Sequence, residues 1–191
     1  MLERLDQHLF LFLNSHNTLF WDQVMYIISG RVIWIPLYIA ILIALGLKYK
    51  RKFYVILLLI IIAITLSDQI SVIVKNGFQR LRPCHEPSLE GLVHLVKGIC
   101  GGSYGFVSSH ASNSFMVAVL SLSFIRRRWF TFSMIFWALL IGYSRIYLGV
   151  HYPGDVICGS LIGALVGWGV FKLYQITDRK LLPGSEFFNQ I

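Results

Sequence analysis

Residues 53–75 read F-Y-V-I-L-L-L-I-I-I-A-I-T-L-S-D-Q-I-S-V-I-V-K. One ionisable group, Asp68, interrupts an otherwise uncharged run that Lys75 closes. About 20 consecutive apolar residues are enough to cross the hydrocarbon core of a bilayer as a helix. Hydrocarbon offers the backbone no hydrogen-bond partners, so a segment of this kind must satisfy its own N–H and C=O groups. The run therefore predicts a transmembrane helix, and the rest of the chain has to be compatible with one.

It is. The chain has 191 residues, 56% of them hydrophobic and 14% charged, with a mean hydropathy of +0.67. Spans are expected over about residues 31–47, 53–75, 109–125, 129–147 and 154–174. Ahead of them, Leu2, Leu5, Leu9, Phe12 and Leu13 fall near one helical face, with Glu3, Arg4, Gln7 and His8 largely opposite. That pattern predicts an amphipathic helix lying in the membrane interface. A part-apolar piece, Leu19 to Ile28, either lies in the interface or contributes to a sixth crossing. The opening M-L-E-R-L-D-Q has neither a basic leader nor a small-residue cleavage site, so no removable signal peptide is expected. The expected fold is all-α: one domain over 1–191, an integral membrane helical bundle of five to six spans with an N-terminal interfacial helix.

The net charge of +8 is less informative than its placement. Lys48, Lys50, Arg51 and Lys52 form one cluster, Arg126, Arg127 and Arg128 a second, and Lys172, Arg179 and Lys180 a third. Each caps an apolar span, which is the positive-inside pattern and not a nucleic-acid surface. These clusters and the tail over 175–191 are thus expected on the cytoplasmic side. The loops 76–108 and 148–153 go to the other side, and residues 1–29 form the N-terminal region. Gly159, Gly163 and Gly167 recur every fourth residue, which predicts a face along which a neighbouring helix of the same bundle approaches closely.

Three polar islands, scattered over some eighty residues, are sent by this topology to the same membrane face. The first is K-N-G-F-Q-R-L-R-P, Lys75 to Pro83. The second is Val107-Ser108-Ser109-His110. The third, Ser144 to Asp155, reads S-R-I-Y-L-G-V-H-Y-P-G-D. Lys75, Arg82 and Arg145 supply three cations, suited to a phosphoryl group whose charge is spread over three oxygens. Ser108 and the backbone N–H groups of Ser109 and His110 stand at a helix N-terminus, where the dipole favours an anion. His151 and Asp155 are four residues apart, on one face of a helix that Pro153 can start. A carboxylate on one ring nitrogen fixes the tautomer and frees the other as nucleophile or base. Residue types and spacing do not decide which histidine, His110 or His151, has which role.

The pattern Lys-x6-Arg-Pro, Ser-x-His, Ser-Arg-x5-His-x3-Asp resembles the three-part signature of the type 2 phosphatidic acid phosphatase superfamily. Residues 75–155 carry the likeness. The middle part departs from the usual Pro-Ser-Gly-His, with Val107 and Ser109 in place of the proline and glycine. The resemblance implies a membrane lipid phosphatase working through a phosphohistidine, without metal or other cofactor. His151 would be the nucleophile, oriented by Asp155. His110 would protonate the leaving oxygen and then activate water. Lys75, Arg82, Ser108, Ser109 and Arg145 would hold the phosphate. Undecaprenyl diphosphate, lipid A, phosphatidylglycerol phosphate and phosphatidic acid are the candidate substrates, with a lean to the first two. The expected setting is the bacterial cytoplasmic (inner) membrane with the site on the periplasmic side. The bilayer and the lipid are then the partners, with no nucleic acid and no obligatory protein. A phosphotransferase with the same phosphohistidine, and a non-enzymatic scaffold or transporter, are the alternative readings.

Cys84 and Cys100 fall in the outer loop, where an oxidising compartment predicts a disulfide between them. The competing arrangement is a zinc site from Cys84, His85, His94 and Cys100. Asp68, seven residues before Lys75 and about 10 Å deeper along the same face, is either a second charge for the cation cluster or a hydrogen-bonded group between helices.

Overall fold

A computed structural model of the chain describes residues 1–181; the part of the expected tail beyond Leu181 lies outside the described residues. Within them the architecture is all-α. The helices are α1 (Leu2–Ser15), α2 (Leu19–Ser29), α3 (Ile35–Tyr49), α4 (Phe53–Phe78), α5 (Ser109–Phe124), α6 (Arg128–Tyr147) and α7 (Pro153–Leu181). Short 3-10 turns at Val32–Trp34, Lys50–Lys52, Pro83–His85, Pro87–Leu89 and Val96–Gly98 fill the connections.

Among the described residues, three stretches are long and apolar enough to cross a membrane: Val32–Phe78, Arg128–Tyr147 and Pro153–Asp178. The first is folded at Lys50, where φ is 46°, into α3 and α4. One sequence expectation needs revision. α7 continues past residue 174 to Leu181. α5 matches the expected 109–125 to within one residue, but its 16 residues make only about 24 Å of helix, and it is rich in serine. Its Ala111, Ser112, Ser114, Met116, Ala118, Leu120, Ser121 and Phe124 are all buried. Wrapped by α4, α6 and α7, this helix faces protein more than lipid, so it has no need of a fully apolar surface.

Gly159, Gly163 and Gly167 are what allow the wrapping. A Cβ at Gly159 would lie 2.5 Å from the carbonyl oxygen of Ser108, one at Gly167 2.7 Å from that of Met116, and one at Gly163 would collide with that of Ser112. The bare face of α7 thus lies directly on the backbone of α5, a close approach open to small residues. Hydroxyls take up the remaining polarity: Ser67 and Ser112 are hydrogen-bonded at 2.9 Å, and Ser71 donates to the carbonyl of Ser67.

The outside of the bundle is apolar. Ile39, Ile43, Leu47, Leu58, Ile61, Phe132, Phe136, Leu161 and Leu165 all stand exposed, on α3, α4, α6 and α7. Apolar patches of that extent are not tolerated in water, and the chain is a membrane protein. On α1, Leu2, Leu5, Leu9 and Phe12 also face outward. Phe10 and Asn14, from its other side, are buried. Asn14 donates to the carbonyls of Tyr147 (2.8 Å), His94 (3.0 Å) and Ile146 (3.3 Å) and accepts from the His94 N–H (2.7 Å). One fully used amide therefore fastens α1, the long loop and the end of α6 together.

The two ends of the bundle differ. At one, Lys48 Nζ and the Tyr49 hydroxyl donate to the carbonyl of Phe124, capping the negative end of α5, and Lys52 pairs with Asp178 at 2.6 Å. The N-terminus of α5, the end of α4 and the α6–α7 junction meet at the other end.

Candidate active site

Three local structures build this second end. The first is a short two-stranded pairing in the loop after α4. Leu81 and Tyr104 form an antiparallel bridge, the Arg82 N–H donates to Ser103 (3.0 Å) and the Gly105 N–H donates to Arg80 (2.8 Å). Just beyond it, Cys84 and Cys100 are joined as a disulfide with Cα atoms 6.0 Å apart, so the ribbon carrying Arg80 and Arg82 is closed at its outer end. The zinc arrangement is not what the sequence offered. His85 does lie beside both sulfurs, but His94 Nε2 is engaged with Asp22 at 2.9 Å.

The second is the start of α5. Ser108 is fully buried and is the N-cap: its Oγ accepts from the Ala111 N–H at 3.4 Å, and its own N–H donates to the Asp155 carbonyl (3.0 Å). Capping uses a lone pair of the hydroxyl oxygen and leaves its proton to donate elsewhere. Ser109 Oγ accepts from Lys75 Nζ, in the last turn of α4.

The third is the α6–α7 junction. Pro153 is the first residue of α7, and Asp155 follows in its first turn. His151 lies just outside the helix, 2% exposed. Its Nδ1 is 3.3 Å from Asp155 Oδ2, which also accepts the Tyr152 N–H at 3.1 Å. On the other side of the ring, Arg82 donates to Nε2 across 3.3 Å. The backbone of Gly105 also hydrogen-bonds the ring. A Cβ at Gly105 would be 2.9 Å from Asp155 Oδ2 and 3.2 Å from Arg82 Cγ, so only glycine allows the loop to lie so close.

Burial, followed by the charges of Arg82, Arg145 and Lys75, pushes the pKa of His151 well below the ordinary histidine value. A neutral ring carrying its proton on Nδ1, toward Asp155, keeps a lone pair on Nε2. His110, on the first turn of α5, lies within electrostatic reach of His151, Arg145, Arg82 and Arg31. Arg145, near the end of α6, donates to Ser29 Oγ at the end of α2. The Nε–H groups of Arg82 and Arg145 are buried and have no acceptor among the described residues, so both guanidinium groups keep a donor in reserve. Asp68 acts electrostatically on Lys75.

The residues picked out in the sequence, Lys75, Arg82, Ser108, Ser109, His110, Arg145, His151 and Asp155, therefore gather at one end of the bundle. Several neighbours had no sequence signal. Arg31, exposed at the start of the Val32–Trp34 turn, and Ser29 bring the α2–α3 junction to the rim. Arg80 donates to Asp155 Oδ1 at 3.0 Å and pairs with Asp6 of α1 at 2.8 Å. Only Arg80 had a possible tag, its position inside the Lys75–Pro83 island.

The family profile described as the PAP2 superfamily matches residues 53–179. A lipid A 4′-phosphatase of Bacteroides thetaiotaomicron is 38% identical over 184 residues, covering 93% of this chain and 81% of that protein. One of Porphyromonas gingivalis is 34% identical over 182 residues, covering 94% and 77%. The crystal structure of LpxE from Aquifex aeolicus superposes with a TM-score of 0.70 at 29% identity, covering 88% of this chain and 95% of that one.

Proposed function

Because this chain belongs to the PAP2 superfamily, we propose that it hydrolyses a phosphate from a membrane lipid through a phosphohistidine on His151. The observation that carries the reading is the clamped imidazole: His151 is held between Asp155 at Nδ1 and Arg82 at Nε2, buried and surrounded by cations.

The steps use this chain's own groups. Nε2 of His151 attacks phosphorus as the bond to the lipid oxygen breaks, and protonated His110 gives that oxygen its proton. Asp155 stabilises the positive ring that forms. Neutral His110 then takes a proton from water, whose oxygen attacks phosphorus. The P–N bond breaks and inorganic phosphate leaves. Lys75, Arg82, Arg145, the Ser108 hydroxyl and the N–H groups at the start of α5 hold the equatorial oxygens, donors fixed in advance where charge develops. Ser109 is tied to Lys75 and acts through its amide and by placing the ammonium. The chemistry calls on no metal.

The substrate class follows from likeness. Two relatives that resemble this chain over nearly its whole length are lipid A 4′-phosphatases, and the phosphate on lipid A is the one we assign here. The lipid's acyl chains stay in the bilayer while its headgroup enters the polar end of the bundle, which crosses the membrane five or six times with α1 in the interface. Basic clusters at the opposite end support a site on the periplasmic side of the cytoplasmic membrane of a bacterium. A disulfide at the site's end agrees with an oxidising compartment.

The test is phosphate release by the purified protein from lipid A, undecaprenyl diphosphate, phosphatidylglycerol phosphate and phosphatidic acid, with and without chelator. Lipid A should be turned over fastest and chelator should have no effect. Faster release from undecaprenyl diphosphate would replace the substrate. Labelled phosphate found on a second lipid instead of in water would make the enzyme a phosphotransferase. Undiminished cellular function in a His110/His151 double variant would make it a scaffold or transporter.

A further inference from the structure

We propose that Arg80 is a positioning residue for the His151–Asp155 pair, itself held by Asp6, so that α1 is a working part of the reaction centre and not only a membrane anchor. The inference rests on the phosphohistidine reading above and deepens it.

Asp155 is wholly buried, and a buried carboxylate is costly unless it is paired and its oxygens are hydrogen-bonded. Its two oxygens are used differently. Oδ2 takes His151 Nδ1 and the Tyr152 N–H, while Oδ1 takes Arg80 at 3.0 Å. A neutral imidazole and a backbone amide bring no countercharge, so Arg80 is the ion paired with this carboxylate. By binding the oxygen that His151 does not use, it also sets the rotation that aims Oδ2 at the ring.

Arg80 is fixed from three directions. Asp6 Oδ2 lies 2.8 Å from the same guanidinium nitrogen. Its Cζ sits 4.0 Å from the ring centre of Tyr152. The backbone N–H of Gly105 donates to its carbonyl. Burial works against its charge, but Asp155 and Asp6 outweigh burial and hold it protonated beyond the ordinary arginine range. Asp6 in turn accepts the Gly154 N–H through Oδ1 at 2.8 Å, one of the amides that the first turn of α7 leaves unpaired. A Cβ at Gly154 would stand 2.7 Å from Asp6 Oδ2.

The result is a chain of charge, Asp6–Arg80–Asp155–His151, running from α1 through the disulfide-closed ribbon to α7. At rest its net charge is negative by one. When His151 becomes a positive ring on accepting the phosphoryl group, the four groups sum to neutrality. Arg80 therefore keeps Asp155 ionised for that moment without approaching the phosphate.

Arg80→Gln, Arg80→Lys and Asp6→Asn test this, each with kcat, KM, the pH profile of kcat, Tm and the affinity for orthovanadate, which bonds to a nucleophilic nitrogen as phosphorus does. Arg80→Gln should lower kcat by about 10- to 100-fold, the usual loss when an outer partner of a functional histidine is removed, with KM within about twofold. A less paired Asp155 picks up its proton more easily, so the acid limb should move to higher pH. Arg80→Lys should restore most of kcat, and Asp6→Asn should fall between. Orthovanadate should bind about 10-fold more weakly to Arg80→Gln. Unchanged kcat, acid limb and orthovanadate affinity with a lower Tm would make Arg80 a structural clamp and overturn the proposal. A wild type that releases no lipid phosphate, yet loses orthovanadate affinity on Arg80→Gln, would overturn the lipid-phosphatase reading and leave the positioning role in place.

Discussion

Arg82 covers the nitrogen of His151 that the proposed mechanism makes the nucleophile: its guanidinium donates to Nε2 across 3.3 Å, while Asp155 holds Nδ1 from behind. Phosphorus can reach Nε2 only if a phosphoryl oxygen takes over that hydrogen bond. The planar fork of arginine can pass it on without leaving the site, because its Nε–H is buried with no acceptor among the described residues. A lysine has one point of charge and no fork. Arg82→Lys should therefore lose about 10²- to 10³-fold in kcat, as when a donor to developing negative charge is removed. Single-turnover phosphoenzyme formation is the measurement, and retention of wild-type rates would mean that Arg82 only neutralises charge.

The same clamp predicts a pH dependence. Burial first, then Arg82, Arg145 and Lys75, lower the pKa of His151 well below its ordinary 6.5. A protonated ring cannot attack, so kcat/KM should fall as pH falls, but only well below 6.5. Arg82→Ala removes one positive neighbour and leaves burial, so the limb should move part of the way back up. The linkage has the same sign for stability: protons bind the unfolded chain more readily, and stability is lost as pH falls below about 6.5. A limb that stays put in Arg82→Ala would mean that a different group titrates.

How much of this was legible in the sequence depends on the range of the interactions. The helices were, because periodicity and apolar length are local, and so were Lys75, Arg82, Ser108, His110, Arg145, His151 and Asp155, because topology sends three fixed-spacing islands to one end. Arg80 was not: its partners Asp6 and Asp155 lie 74 and 75 residues away, and nothing near Asp6 marks it as more than a polar position on an amphipathic helix. Ser29 and Arg31 reach the rim only because α2 ends at Gly30 with extended backbone (ψ 145°), a turn that hydropathy does not reveal. α5 carries a weaker apolar signal than the other helices because its burial by α4, α6 and α7, which lets serines line it, is a tertiary fact.

The disulfide closes the ribbon that carries Arg80 and Arg82, its cysteines standing 16 positions apart in the sequence. Cross-linking a loop of that length is worth on the order of 3 kcal/mol. Cys84→Ser/Cys100→Ser should lower Tm and also reduce kcat, since Arg82 pairs with Ser103 immediately outside the closed loop. Non-reducing mass spectrometry checks the bond itself; two alkylatable thiols at 84 and 100 would remove its basis.

Gly105 and Gly102 make a matched pair. A methyl at Gly105 meets Asp155 Oδ2 at 2.9 Å and Arg82 Cγ at 3.2 Å, whereas one at Gly102 meets nothing within 4 Å. Gly105→Ala must push the ribbon off the carboxylate and should cost at least tenfold in kcat, an ångström of misplacement being enough for 10²-fold. Gly102→Ala should leave kcat and KM unchanged. Equal effects from both would mean that the loop does not lie against Asp155 in the working enzyme.

The site also depends on packing far below it. Gly163 faces the carbonyl of Ser112, where an added Cβ would collide with backbone, and backbone cannot rotate away as a side chain can. Ser112 is hydrogen-bonded to Ser67 of α4, and its own N–H donates to Ser108, the cap of α5. Separating α7 from α5 here strains both the α4–α5 contact and the turn that presents His110. Gly163→Ala should destabilise by about 1–3 kcal/mol, the usual cost of overpacking, and should lower kcat as well. Gly169, on the same helix, faces open space, so Gly169→Ala gains helix propensity with no collision. Thermal unfolding in detergent with parallel kcat measurements distinguishes them. If Gly163→Ala were as stable and active as Gly169→Ala, the glycine face of α7 would have to look away from α5.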